Sequence, residues 1–577
     1  MRSCLQAMEQ RLSPDQKDML LRIWEPTVVG VPLACSRRDL CVMPNGEIRS
    51  YGRLYANRLT KERGVDAYLS SVDCGISWQK NYAKGNMNAC TYMEGAKVYL
   101  RTVDNDPHEQ GIFLYSSAIG PDDPDPLVSK VTDEGHNCTF LPIESVFSHR
   151  IWFTSQKNDV ESTISFFFSD DAGKTWHVRN IVPPKEFEIV FPHKGLRWCK
   201  DSGTEPYVVE LAENKLMMII RSSTDCFWQS FSEDNGNSWS EPQPSNFYGT
   251  NTTAFLLRLS DGRVLNFWNN TKPLPEPDHN ATIPAVSEKV KNGFAEDAFT
   301  NRDAAHVAIS EDGGKSWLGY RELILSEIRN HADFRHACAD RAVLDKSVHQ
   351  FQAFELPYNK VLVSVGQNIA CRKLVIFDVG WLYEMERETT FLNGMEDLTT
   401  HTYVKSVSGS HFSRLKNGHC SWNRTYSAYM LPDPEGDVFE VLSISNHYDD
   451  RLLNHIGGAC WNFPMAKRGR VSVQMKLLEK QARLILTDRW YNTCDPYAAM
   501  LSPFWLEMDE KQLKDGYVTV DMDFDTEMGR TCVFVDGEPF ADVVMGNPCP
   551  TGISYLILQC ATEEESKGFC VRSLKKI

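Results

Sequence analysis

No uninterrupted apolar run in this chain approaches the roughly 18 to 20 residues of a membrane-spanning helix; the longest are short and strand-like, such as Leu374-Val-Ile-Phe. A spanning helix is excluded, and no membrane partner is expected. The N-terminus, Met1-Arg-Ser-Cys-Leu-Gln-Ala, lacks the apolar core of a secretory signal, so a cytoplasmic protein is expected, or an extracellular one if a signal has been removed. Basic character is also short. The 61 Lys and Arg face 77 Asp and Glu, for a net charge of -16 without a basic run, which argues against a nucleic-acid partner. The 17 cysteines, scattered from Cys4 to Cys570, form neither a CxxC pair nor a cluster of zinc-ligand spacing and fit a reducing compartment. With HExxH, a strand-borne GxGxxG and a GxSxG elbow missing too, metal hydrolases, dinucleotide enzymes and serine hydrolases are set aside. No metal or cofactor is expected. The Asn-x-Ser/Thr sequons at Asn137, Asn251, Asn269, Asn280 and Asn423 are read as chance occurrences in a chain without a signal.

What the chain does have is one pattern four times over. Ser71-Val-Asp73-Cys-Gly75-Ile-Ser77-Trp78, Ser169-Asp-Asp171-Ala-Gly173-Lys-Thr175-Trp176, Ser232-Glu-Asp234-Asn-Gly236-Asn-Ser238-Trp239 and Ser310-Glu-Asp312-Gly-Gly314-Lys-Ser316-Trp317 all read Ser-x-Asp-x-Gly-x-Ser/Thr-Trp. The pattern suits a tight hairpin in which the carboxylate accepts turn amides, Gly takes a positive φ and Trp clamps the turn. It resembles the Asp-box of sialidases and related β-propellers. In that family the box is structural, so none of its carboxylates is nominated for chemistry.

Between about residues 30 and 384, β-rich runs such as Lys215-Leu-Met-Met-Ile-Ile-Arg221 alternate with Gly, Asn, Asp and Pro turns. The Asp-box aspartates lie 98, 63 and 78 residues apart. A four-stranded blade with its loops takes about 50 to 60 residues, so the first gap hides a blade without a box, and six blades fit the span. Ser13-Pro14-Asp15-Gln16 reads as a helix start within an N-terminal helical segment, residues 1–29. A polar linker is placed at 385–399. Beyond it, residues 400–577 hold alternating runs such as Arg470-Val-Ser-Val-Gln-Met and Ala482-Arg-Leu-Ile-Leu-Thr, as strands of a β-sandwich do. The strand ending in Asp536-Gly537-Glu resembles laminin-G or lectin-like jelly rolls. Trp461, Trp490, Tyr491 and Trp505 are read mainly as core, with sugar binding or packing both open as roles for this domain. The fold expected is all-β.

The resemblance to sialidases implies three arginines that hold a substrate carboxylate, because a planar guanidinium fork stays charged and matches it. Arg37 or Arg38 precedes the first hairpin, and Arg37 is taken as the first. The segment from Thr204-Glu205-Pro206 to Arg221 is similar to the family's stretch between the catalytic glutamate and the second arginine. Arg302, shortly before the fourth Asp-box, is the third. Each arginine taken singly also fits a rim salt bridge. The family's general acid is an aspartate before the first box; here that loop offers Glu62, with Asp66 as a second candidate. The family's nucleophilic tyrosine is missing from Ser347-Val-His349-Gln350, which puts a covalent retaining step in doubt. His349 or Asp333 is the candidate for activating water in direct attack, with Arg335 and Gln350 as further binding residues.

The resemblance thus implies an exo-acting glycoside hydrolase that releases a terminal acidic sugar, sialic acid or a related ulosonic acid, without cofactor. A uronate-directed glycosidase or lyase, and a non-catalytic glycan-binding protein, are the alternatives. Linkage, stereochemical outcome and oligomeric state are not written in the sequence.

Overall fold

A computed structural model describes residues 2–34, 40–54, 64–82, 91–93, 96–103, 110–116, 125–137, 140–157, 163–182, 204–222, 226–249, 252–272, 302–325, 347–367, 371–403, 424–449, 455–562 and 564–577. Two short helices open it: α1 (Arg2–Arg11) and α2 (Pro14–Arg22), the second started by the expected capping box of Ser13 and Gln16. Six antiparallel sheets follow, here called blades 1 to 6. Their first strands are Leu40–Val42, Thr91–Met93, the broken pair His136–Asn137 and Ile143–Glu144, Thr204–Ala212, Phe255–Arg258 and Gln352–Leu356. Blades 2 and 6 carry none of the four Asp-boxes, and blade 2 is the one expected in the first gap. Blade 6 draws three strands from its own stretch and its fourth from Thr27–Gly30, which pairs with Lys373–Asp378.

The blades are central strands, apolar on both faces, and each face is buried against a different neighbour. In Lys215–Arg221, Leu216, Met218 and Ile220 pack with Trp152 and Phe166 of blade 3, while Met217 and Ile219 pack with Phe255 and Phe267 of blade 5. The same alternation continues around the molecule. Val98 and Leu100 of blade 2 meet Ile151 and Phe153 of blade 3, Cys41 and Tyr51 of blade 1 meet Tyr99 of blade 2, and Leu362 and Ile376 of blade 6 meet Leu40 and Ile48 of blade 1. That last contact closes the ring. It is reinforced by the Gln352 side chain, which accepts from the Leu40 N–H at 3.0 Å and donates to the Leu40 carbonyl at 2.9 Å. First-strand residues of all six blades line an axial cavity of about 770 Å³, with Cys4, Leu5 and Met8 of α1 at one wall.

Each Asp-box is a turn between the third and fourth strands of blades 1, 3, 4 and 5. Asp171 shows its logic: Oδ1 accepts from the Thr175 N–H and the Ser169 hydroxyl, Oδ2 from the Thr175 hydroxyl, and Trp176 donates to the Gly173 carbonyl. The two residues after the aspartate both take positive φ, 59° at Ala172 and 81° at Gly173. The boxes are structural, as read.

The C-terminal domain is a sandwich of an eight-stranded and a five-stranded sheet around Trp461, Phe463, Leu484, Met522 and Val571. Arg387–Thr389 pairs with Ser566–Lys576, and Leu398–Thr399 with Gly458–Ala466. The stretch assigned to a linker therefore supplies a strand to each sheet, because its short β-prone pieces satisfy edge hydrogen bonds there. Likewise the last residues of the N-terminal segment belong to blade 6. Trp461, Trp490 and Tyr491 are fully buried, whereas Trp505 is 41% exposed.

Sandwich and propeller share a buried contact on blades 4 and 5. Trp490 and Tyr491 cluster with Ala304, and Arg489 stacks 3.3 Å from the ring centroid of Tyr248. His306 Nδ1 accepts from the Asn270 N–H, which leaves its Nε2 proton for the Tyr555 hydroxyl at 2.5 Å; Tyr555 donates in turn to Glu322 at 2.7 Å. Burial pushes the His306 imidazole down to about 3, so it stays neutral in this relay.

Two outcomes follow from this architecture. Gln352→Leu leaves a buried N–H and carbonyl of Leu40 without their side-chain partner and should lower unfolding free energy in urea by about 2 to 4 kcal/mol. Asp171 is held down to about 2 first by the Thr175 hydroxyl bond and then by the Thr175 amide. A depressed carboxyl stabilises the fold above its unfolded value of 3.8 and loses that contribution as pH falls through about 2. The stability deficit of Asp171→Asn should therefore be larger near neutral pH than at about pH 2, as read by denaturant titration at both.

Candidate functional site

Because every blade is an antiparallel meander, the start of its first strand, the end of its second and the start of its third lie on one face of the ring. The Asp-box turns lie on the other. Glu205 is the second residue of blade 4's first strand, and Arg221 the last of its second. Arg302 stands two residues before the third strand of blade 5, and His349 and Gln350 just before the first strand of blade 6. All five occupy the same face.

Local backbone chemistry aims each of them. Between Thr204 and Tyr207 the ladder with the second strand shifts register, a bulge in which Glu205 takes φ 50° and Pro206 lacks an N–H to pair. The Pro206 carbonyl is captured by the Thr154 hydroxyl of blade 3 at 2.5 Å. Gln350 also has a positive φ, 70°. Such a conformation costs a side chain other than Gly or Asn about 1 to 3 kcal/mol and persists where the surroundings enforce it, commonly at binding sites. The His349 carbonyl accepts from the Gly366 N–H at 2.7 Å. Gly366 has φ 106°, and a Cβ there would lie 2.5 Å from the Cys371 carbonyl oxygen, so only glycine fits.

The side chains form two close pairs. Arg221 donates from Nη1 to Glu205 Oε2 at 2.6 Å, with the glutamate 4% exposed. Arg302 is 2% exposed, and its Nη1 lies 3.3 Å from His349 Nε2. A guanidinium only donates, so that nitrogen carries a lone pair and the imidazole proton sits on Nδ1. The Gln350 amide nitrogen is 3.4 Å from the same Nε2. The result is a buried carboxylate, two guanidinium groups and an imidazole whose Nε2 lone pair faces a guanidinium, gathered at the rim of one face. Such a set can hold an anion and move a proton.

Among the sequence candidates, Glu205, Arg221, Arg302, His349 and Gln350 are thus brought to one face. Asp66 is instead paired with Arg53 at 2.8 Å and is 41% exposed as a side chain. Arg37, Arg38, Glu62, Asp333 and Arg335 lie outside the described residues. One residue the sequence reading missed is Asn269, taken there only as a sequon. It is 0% exposed, and its amide donates to the carbonyls of Ala304 and Val348, so the folded chain presents no glycan acceptor there. The signal was present as a polar pair, Asn269-Asn270, directly after the apolar strand Val264–Trp268.

Residues 142–364, which reach from blade 3 into blade 6, match the BNR repeat-like domain family. That match bears out the resemblance read from the four Asp-boxes. No curated protein sequence matches the chain. Solved structures similar to it include Trypanosoma rangeli sialidase, 13% identical over 94% of this chain and 91% of that one, TM-score 0.35. The NanB sialidase of Streptococcus pneumoniae is 12% identical over 64% and 73%, TM-score 0.36. A Dyadobacter fermentans protein of unknown function is 15% identical over 62% and 97%, TM-score 0.39. All three superpositions fall below a TM-score of 0.5, and the fold rests on the strand pairings instead.

The Glu205–Arg221 pair can be tested without a substrate. Arg221→Met leaves a buried carboxylate without its cation and should destabilise the protein by about 3 to 5 kcal/mol, whereas adding Glu205→Gln should recover a large part of that loss. Thermal and urea unfolding of the two single variants and the double variant measure the coupling.

Proposed function

We propose that the protein is an exo-acting glycoside hydrolase that releases a terminal acidic sugar, sialic acid or a related ulosonic acid. The observation that carries the reading is the convergence of Glu205, Arg221, Arg302 and His349 on one face of the propeller, opposite the Asp-box turns. Arg221 and Arg302, with Arg37 as a third candidate, supply the cations that a sugar carboxylate needs. Arg221 meets Glu205 and Arg302 meets His349, so binding of a carboxylate exchanges one acceptor for another rather than exposing a bare charge.

Cleavage then requires a proton for the leaving oxygen and a nucleophile for the anomeric carbon. With no tyrosine at the Ser347-Val-His349-Gln350 segment, the chemistry that fits is direct attack by water. His349 Nε2 takes the water's proton once Arg302 has turned to the substrate, and Glu205 stabilises the positive charge that develops on the ring. A carboxylic acid from outside this pair, Glu62 being the candidate, protonates the leaving group. Attack by water in a single displacement inverts the anomeric centre.

The test is a panel of terminal sialosides, ulosonides and uronides, with released acid quantified and the first-formed anomer followed by proton NMR. Release of a 2-keto acid sugar with inversion is expected. Glu205→Gln and His349→Gln, each shown folded, should lower kcat by at least about 100-fold. Wild-type rates in both variants would refute the site, and an unsaturated, ultraviolet-absorbing product would point to a lyase.

A further inference from the structure

We propose that Asn269 is a positioning residue that sets Arg302 and His349 against each other across the boundary between blades 5 and 6; its catalytic consequence rests on the acidic-sugar reading above. The Asn269 amide nitrogen donates to the Ala304 carbonyl at 2.6 Å and to the Val348 carbonyl at 3.1 Å. Ala304 begins the strand that Arg302 leads into, and Val348 immediately precedes His349. One primary amide therefore uses both its hydrogens to join the two segments that carry the pair. Direct contacts run parallel to this bridge. The Val348 N–H donates to the Arg302 carbonyl at 2.8 Å, and the Arg302 guanidinium reaches His349 at 3.3 Å.

The bridge is itself anchored from the sandwich. The chain just after Asn269 exchanges main-chain bonds with Trp490: Trp490 N–H to the Asn270 carbonyl and Lys272 N–H to the Trp490 carbonyl, each at 2.9 Å. Lys272 and Asp495, both buried, pair at 3.0 Å beside it. The Asn270 side chain donates to the Asp488 carbonyl at 2.8 Å. The sandwich thus supports the residue that spaces the candidate arginine and histidine, which assigns this domain a part in the site without any contact to ligand. Alanine carries no donor to replace the amide, and serine carries one, so loss of spacing should be graded with the number of donors kept.

The experiment uses the full chain with Asn269→Ala, Asn269→Ser and, as control, Asn462→Ala, which removes another buried interdomain amide, one bonded to the Tyr320 and Ser554 carbonyls. Two readouts are taken: kcat and KM on an acidic glycoside that the wild type cleaves, and nitrogen NMR of ring-labelled histidines, with the His349 signals assigned by their loss in His349→Gln. Asn269→Ala should shift the His349 ring signals and lower kcat/KM by about 100-fold, the scale expected for a misplacement of about 1 Å, with Asn269→Ser between it and wild type. Asn462→Ala should lower Tm yet leave the ring signals and kcat within about twofold of wild type. Unchanged His349 signals in a folded Asn269→Ala or Asn269→Ser protein overturn the proposal. If the wild type cleaves no acidic glycoside, the functional reading fails by itself, and the ring signals alone decide the positioning role.

Discussion

Every blade in this protein is apolar on both faces and so has no stable existence by itself; only a closed ring gives each face a partner. The contact between blades 6 and 1 is consequently the one on which the others depend. It is built from sequence-distant pieces: the Thr27–Gly30 strand completes blade 6, and the Gln352 side chain joins Leu40 in both hydrogen-bonding directions. A gap there would expose Leu40, Ile48, Leu362 and Ile376 together, along with an unpaired strand edge.

The ring divides labour between its two faces. The turns between third and fourth strands carry the Asp-boxes, where carboxylates are spent on holding backbone amides and hydroxyls. On the other face the strands begin, and there the backbone departs from regular geometry at Glu205 and Gln350. The bulge at Pro206 and the left-handed Gln350 use energy stored by the rigid ladder to direct a carboxylate and an amide out of the sheet. The neighbouring arginines then neutralise what would otherwise be costly buried polar groups.

The sandwich is joined to the propeller through a buried, hydrogen-bonded contact centred on blade 5. His306, Tyr555, Trp490 and the Lys272–Asp495 pair are all buried, and Glu322 ends the relay half-buried. Groups buried in this way must keep their partners or leave unsatisfied charge and dipoles behind, so the two domains behave as one cooperative unit. Blade 5, which carries Arg302, is therefore held from outside the ring as well as by its neighbours.

The resemblance nominated Glu205, Arg221, Arg302 and His349, while the residues themselves determined the repeat, the four structural turns and the blade hidden in the first gap. These are local facts: a turn needs its Asp and Gly at fixed offsets, and a strand shows its faces in a two-residue alternation. The sequence also marked 385–399 as linker and saw in Asn269 only a chance sequon, since short edge strands and buried amides are defined by partners far along the chain. Only the tertiary structure decided that Arg302 rests on His349, that Thr27–Gly30 closes the ring and that Trp490 braces blade 5. Each of these joins residues tens to hundreds of positions apart, and pairings of that kind depend on where the folded backbone brings a donor to its acceptor.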